Sequence, residues 1–389
     1  MRIASIVGAR PQFIKLAPLV RILSHAEKSG KGLSLQHLII HTGQHYDYLM
    51  DKVFFCQLGL PDPTFNLEVG SGSHVHQLSE MMKKLDPVLT QLRPDVVIVY
   101  GDTNSTLAGA LVASKHNFPT VHVEAGLRSF NRYMPEEINR ILTDHCTDIL
   151  LVPTDRALHN LRNEGISNTL PDKGVLPRSY HWNSQHHVTY PIGINTGDIM
   201  YDAVLLALQR VENESNLCKK LGLVPKGYYL ATLHRAENTD DSERLQSIWE
   251  ALDVLSARMP VIFPLHPRTK KALSRIDLKN TGKSIRIIDP VGYFDMLSLQ
   301  KGAYKILTDS GGMQKEAYYL KVPCITMRDE TEWMETIHAG CNILAGAEKK
   351  KILDFAGDGF EPSINCFSHN LFGDGNTAER IYEILTHMI

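Results

Sequence analysis

The chain has 389 residues, with 41 Lys plus Arg against 43 Asp plus Glu, a formal charge of −2 with neutral His. That balance offers no basic face for nucleic acid or for an anionic membrane surface. Hydrophobic residues at 43% and charged residues at 22% exclude wholesale disorder, and the length predicts two domains.

Short apolar runs alternate with longer amphipathic ones. Strands are predicted at 2–7, 36–42, 95–100, 120–123 and 149–152, then at 228–232, 261–264, 285–288, 305–308 and 324–327. The runs are apolar without alternation, as expected of parallel strands covered on both faces. Helical spacing between them, at 106–116, 136–145, 242–257 and 312–320, argues for βαβ units. Residues 169–189 are rich in Pro, Ser, Asn and His and read as a linker. The fold class predicted is therefore α/β. One doubly wound domain spans 1–175 and a second spans 190–371, with a closing helix at 372–389 returning to the first. Ligands of such domains bind at the C-terminal ends of strands.

The chemistry-bearing residues fall at those ends. Strand one runs into Gly8-Ala9-Arg10-Pro11-Gln12, with Lys15 beyond; an open helix start would offer backbone N–H groups to an anion, and a plain turn with two solvated cations fits equally well. The next loops carry Asp102, Glu124 and Glu136, the last followed by Asn139 and Arg140. Asp at a strand end is often only a helix cap, but Glu is a poor cap, so three carboxylates together favour acid–base work. In the second half, His234-Arg235 and His266-Pro267-Arg268 suggest an anion site. Asp309-Ser310-Gly311-Gly312, with Glu316 one turn on, offers unhindered N–H groups to a pyrophosphate and a carboxylate to ribose hydroxyls.

Other devices are missing. Val75 stands where a dinucleotide fingerprint from Gly70 wants its third glycine, and Asp277 spoils a Walker-like Gly282-Lys283-Ser284. His181, His186 and His187 lack partners at ligand spacing, so no metal is expected. The six cysteines are scattered without a C-x-x-C pair, the N-terminus is too short in apolar residues for a signal peptide, and no run approaches ~18 apolar residues. A cytoplasmic protein needing no nicotinamide, ATP or metal cofactor is the expectation.

Taken together, GARPQFIK at Gly8, TGQH at Thr42, YGDTNSTLAGAL at Tyr100, HVEAGLRS at His122, MPEEINR at Met134, TLHRAEN at Thr232, PLHPR at Pro264 and LTDSGGMQKEA at Leu307 resemble the non-hydrolysing UDP-N-acetylglucosamine 2-epimerase family. GARPQFIK, TLHRAENTDD and TMRDETEW are closest in wording to the branch acting on UDP-2,3-diacetamido-2,3-dideoxyglucuronate. The resemblance implies a GT-B type fold, two Rossmann-like domains with the active site in the cleft between them, and a homodimer. It implies catalytic roles for Asp102, Glu124, Glu136 and His234. It places the UDP-amino sugar on Arg10, Lys15, Arg140, His266, Ser310, Gly311, Gly312 and Glu316, with Lys15 near the diphosphate or the carboxylates. Ala9, Gln12 and Ala236 depart from the family's commoner residues, and Ser73-His74 stand where members activated by a second substrate molecule carry Arg-Gln.

The implied reaction has a physical rationale. The C2 hydrogen of an amino sugar is not acidic, because no ring carbonyl stabilises a carbanion there. Expulsion of UDP gives C1 oxocarbenium character and makes that proton removable by a carboxylate. A glycal forms, and re-protonation from the other face with return of UDP inverts C2. A hydrolysing 2-epimerase, a GT-B glycosyltransferase and a catalytically silent nucleotide-sugar sensor are the alternatives.

Overall fold

The apolar runs are strands with a core on each side. In the second half, Tyr229, Ala231, Val261, Phe263, Leu307 and Ile325 belong to one buried cluster, while their neighbours Tyr228, Leu230, Ile262, Ile306 and Cys324 belong to another. Successive side chains on a strand point to opposite faces, so a strand buried twice must be apolar throughout.

The computed structural model describes residues 1–29, 35–44, 55–170, 191–275, 285–368 and 370–388. They divide into two units, Met1–Leu206 with Phe372–Ile389, and Ala207–Leu371. The first contains β1 (Arg2–Val7), β2 (Gln36–His41), β3 (Phe65–Asn66), β4 (Val96–Tyr100), β5 (Thr120–Val123), β6 (Ile149–Val152), β7 (Thr169–Leu170) and β8 (Ile192–Asn195). They pair in parallel in the order β3-β2-β1-β4-β5-β6-β8-β7. The second contains β9 (Tyr229–Thr232), β10 (Val261–Pro264), β11 (Arg286–Ile288), β12 (Lys305–Thr308), β13 (Cys324–Thr326) and β14 (Asn342–Leu344), also parallel, in the order β11-β10-β9-β12-β13-β14. The second sheet reverses strand order between β9 and β12, and the first does so in the same way between β1 and β4, before its far edge turns back from β8 to β7. A doubly wound sheet opens its ligand crevice at such a switch point.

The expected start of the second domain at 190 is too early. β8 pairs with β6 in the first sheet, and the second unit begins only at Ala207. The polar stretch reads as an end of the first domain, but β8 after it returns to the same sheet. Most of that stretch, with its three histidines, and the Gly282 segment lie outside the described residues, as does the histidine that ends TGQH. The helix Thr377–His387 is held to the first unit by Asp202, whose Oδ1 accepts from Ala378 N at 2.8 Å. No described helix is long and apolar enough to cross a membrane.

Candidate functional site

The first cluster surrounds the β1/β4 switch point. Gln12 stands three positions after Ala9 at the start of the helix Arg10–Ser29 and reaches back, its Oε1 accepting from Gly8 N at 2.7 Å and Ala9 N at 3.1 Å. Its Nε2 donates to Tyr100 O at 2.9 Å and Thr106 Oγ1 at 3.0 Å. This is the return half of a capping box. Of the two readings of this turn, the open anion site finds its donors taken by the chain itself: the Gly8 and Ala9 N–H groups are bonded, Pro11 has none, and Gln12 N returns to Ala9 O.

Lys15 is 5% exposed and places Nζ 2.5 Å from Glu124 Oε1. Gly101, at φ +66°, lets it come so near, since a Cβ there would stand 2.9 Å from Lys15 Nζ and 3.6 Å from Glu124 Oε1. Glu124 is itself at φ +71°, where a side chain of this size is strained. Asp102, next to Gly101, accepts from Arg140 Nη1 at 2.6 Å, and its carbonyl accepts from Asn139 Nδ2 at 2.9 Å. Arg140 also donates to Glu137, a carboxylate 1% exposed that accepts from Ser129 N and Phe130 N, both at 2.9 Å. Burial opposes ionisation of Glu137, but those bonds and the Arg140 charge hold it below the usual carboxylate range. Glu136, half-buried, lies in the first turn of the helix Pro135–Cys146, which Pro135 opens without forfeiting a hydrogen bond.

The second cluster surrounds the β9/β12 switch point. Asp309, fully buried after β12, accepts from His234 N at 3.0 Å and Arg235 N at 2.8 Å, and pairs with His234 Nδ1 at 3.1 Å. Burial works to raise its pKa, but the bonds from His234 and the loop N–H groups lower it below the ordinary carboxylate value. The His234 ring lies 5.5 Å from the His266 ring, centroid to centroid. His266 Nδ1 accepts from Arg268 N at 3.2 Å, and Arg268 itself pairs with Asp240 at 2.7 Å. Ser310 caps the helix Gly311–Tyr319, and a Cβ on Gly311 would collide with Glu332 Oε1. Glu316 is 6% exposed and accepts from Gln300 Nε2 at 2.6 Å. Burial pushes its pKa up to about 7, against the lowering effect of Gln300 and Lys315.

A carboxylate–cation cluster at one switch point suits acid–base work, and an acid–histidine cluster beside a helix N-terminus at the other suits anion binding. A family model described as UDP-N-acetylglucosamine 2-epimerase matches residues 28–386. The chain belongs to the UDP-N-acetylglucosamine 2-epimerase family. A UDP-N-acetylglucosamine 2-epimerase homolog of Methanococcus maripaludis is 48% identical, with 100% of each chain covered. The UDP-2,3-diacetamido-2,3-dideoxy-D-glucuronate 2-epimerase of Pseudomonas aeruginosa is 42% identical, again over 100% of each. Among solved structures, that of the Methanocaldococcus jannaschii UDP-GlcNAc 2-epimerase in complex with UDP-GlcNAc and UDP is 44% identical, with a TM-score of 0.84 and 100% of each chain covered. The two Rossmann-like units are those of the GT-B class.

In this epimerase-family chain, then, Lys15 sits on a carboxylate. Arg140 is 2% exposed and braces Asp102 and Glu137. The Arg of PLHPR is tied to Asp240. Gln12, Glu137 and Asp309 were underread. Gln at the third helical position, the second Glu of PEE and the Asp before Ser-Gly-Gly were their signals. Trp333, which ends TMRDETEW, is 3% exposed with its ring 3.9 Å from Lys315 Nζ, a cation–π contact inside the unit.

Proposed function

We propose that this chain inverts C2 of a UDP-HexNAc, interconverting sugars of the UDP-GlcNAc and UDP-ManNAc type by expelling UDP to a glycal and re-adding it. The observation that carries the reading is the linked carboxylate set. Asp102 is braced by the helix that bears Glu136, and its neighbour Gly101 abuts Glu124. In this reading Asp102, Glu124 and Glu136 remove and return the C2 proton and meet the positive charge at C1. His234, oriented by Asp309, assists at the diphosphate end. Arg10, His266, the Ser310-Gly311-Gly312 turn and Glu316 hold UDP, the helix start taking the pyrophosphate and Glu316 the ribose. UDP is retained as a tethered leaving group, so closure around the substrate belongs to the mechanism.

Full-length likeness to the P. aeruginosa enzyme favours a second reading, the same chemistry on UDP-2,3-diacetamido-2,3-dideoxyglucuronate. The wider reading is a cytoplasmic homodimer that supplies a surface-polysaccharide precursor. Turnover in heavy water tests the chemistry: deuterium is expected at C2 of both product and recovered substrate. Inverted sugar without label, or release of free amino sugar, overturns it. Parallel assays with UDP-GlcNAc and the diacetamido-uronate decide between the sugars.

A further inference from the structure

One buried pair reaches all three segments that carry the candidate carboxylates. His122 is fully buried on β5, where Val99 of β4 and Leu150 of β6 flank it in register. A histidine so placed must satisfy both ring nitrogens or lose more than an apolar residue would cost there. Both are satisfied. Nε2 lies 2.7 Å from Gly101 O, and Nδ1 lies 2.7 Å from Asp144 Oδ1.

Gly101 precedes Asp102, and its N–H is already bonded to Val123 O at 2.9 Å, so β5 holds the peptide groups on both sides of that residue. Asp144 lies on the helix Pro135–Cys146, two turns beyond Glu136 and one turn beyond Arg140. Its other oxygen accepts from Gly126 N at 3.1 Å and pairs with Arg128 at 2.8 Å. His122 and Gly126 stand on either side of Glu124, each two residues away, so the pair brackets the strained φ of +71° at that position. The Asp144 carboxyl is held below its ordinary range despite complete burial, through the bonds and charges of His122 and Arg128. The network runs outward to Glu164, which takes Arg128 through two bonds of 2.7 and 2.6 Å and lies 3.4 Å from the exposed His145.

We propose that His122 and Asp144 are positioning residues that lock Asp102, Glu124 and Glu136 into one reactive arrangement. The proposal rests on the epimerase reading above. A shift of about 1 Å among reacting groups can cost roughly 100-fold in rate, while binding contacts made elsewhere survive it. His122→Gln can reach Gly101 O but cannot also reach Asp144. Asp144→Asn keeps the partner of His122 and sets an amide N–H against the Gly126 N–H and Arg128 donors.

The test measures kcat, KM, C2 deuterium exchange, UDP affinity by calorimetry and the melting temperature. His122→Gln and Asp144→Asn are expected to lower kcat about 100-fold and to slow C2 exchange in step. UDP Kd and KM should stay within about threefold. The double variant should be no slower than the slower single, since both act through one contact. Glu164→Gln, at the outer end, should lower the melting temperature and leave kcat within twofold. Unchanged kcat in both singles overturns the proposal. So does an equal loss in Glu164→Gln, or failure of both singles to fold, because each outcome assigns the network to stability alone. A wild-type enzyme inactive on both UDP-sugars sinks the epimerase reading instead.

Discussion

At the crossing of β1 and β4 the N–H groups before the helix are already bonded to Gln12, whereas at the crossing of β9 and β12 Ser310 caps a helix that opens with two glycines. The strand orders of the two sheets match over six strands. In the first, cations are turned inward: Lys15 and Arg140 are buried against Glu124 and Asp102. In the second, an acid is turned inward, Asp309, and it holds His234 at the rim. Topology thus chooses where a site forms, and the loop residues choose its sign. On the proposed reading, one fold makes a phosphate-binding edge and a carboxylate edge through the residues its loops place at the rim.

The comparison breaks first at the carboxylates. Asp102→Asn, Glu124→Gln and Glu136→Gln should each lower turnover about 1,000-fold, roughly 4 kcal/mol in barrier. UDP affinity measured by calorimetry should remain within a few-fold of wild type. Wild-type rates in all three would remove the first cluster from the chemistry. The reciprocal change is Gly311→Ala in the second cluster. Its methyl group collides with Glu332 Oε1, so the Glu332 carboxylate or the helix start must shift. UDP binding should weaken about 10- to 100-fold, while the melting temperature of the unliganded protein moves by only a few degrees. UDP affinity equal to wild type would detach the Ser-Gly-Gly turn from the nucleotide.

Gln12→Leu sharpens the contrast through stability. It strips four hydrogen bonds from a side chain 1% exposed and leaves the Gly8 and Ala9 N–H groups unpaired beneath the turn. A loss of about 3 kcal/mol is expected in urea unfolding, with UDP affinity unchanged. Weakened UDP binding at intact stability would restore an anion site at the first switch point.

Much of this was legible in the chain. Strands buried on both faces announce themselves by unbroken apolar runs, and Ser310-Gly311-Gly312 announces a helix start. β8 was not legible as part of the first sheet, because Ile192–Asn195 is short and follows a polar stretch that reads as a boundary. The inward direction of Lys15 and Arg140 was hidden for a different reason. A cation in a loop motif looks the same in sequence whether it faces a phosphate or a neighbouring carboxylate, and only the register of β4, β5 and the helix Pro135–Cys146 decides. Asp309 and Glu137 were hidden by their neighbours, since Ser-Gly-Gly and the first Glu of PEE carried the more familiar chemistry.

The smallest expected effect concerns Glu316, and its sign is fixed by the direction of its shift. Its folded pKa of about 7 lies above the ordinary value of 4.5, with burial as the main cause. Below about pH 4.5 the carboxyl is protonated in both folded and unfolded chains, and it carries no differential cost. As pH rises through 7 the folded chain must hold a buried charge that the unfolded chain solvates, so unliganded stability should fall by on the order of 2 kcal/mol. Glu316→Gln copies the protonated form in shape, and it should flatten that fall in melting temperature between pH 5 and 8. If the carboxylate accepts from ribose hydroxyls, UDP binding should tighten over the same interval in the wild type and not in Glu316→Gln. A melting profile identical in the two proteins would place the charge in solvent, and it would leave the second cluster without its acid beneath the nucleotide.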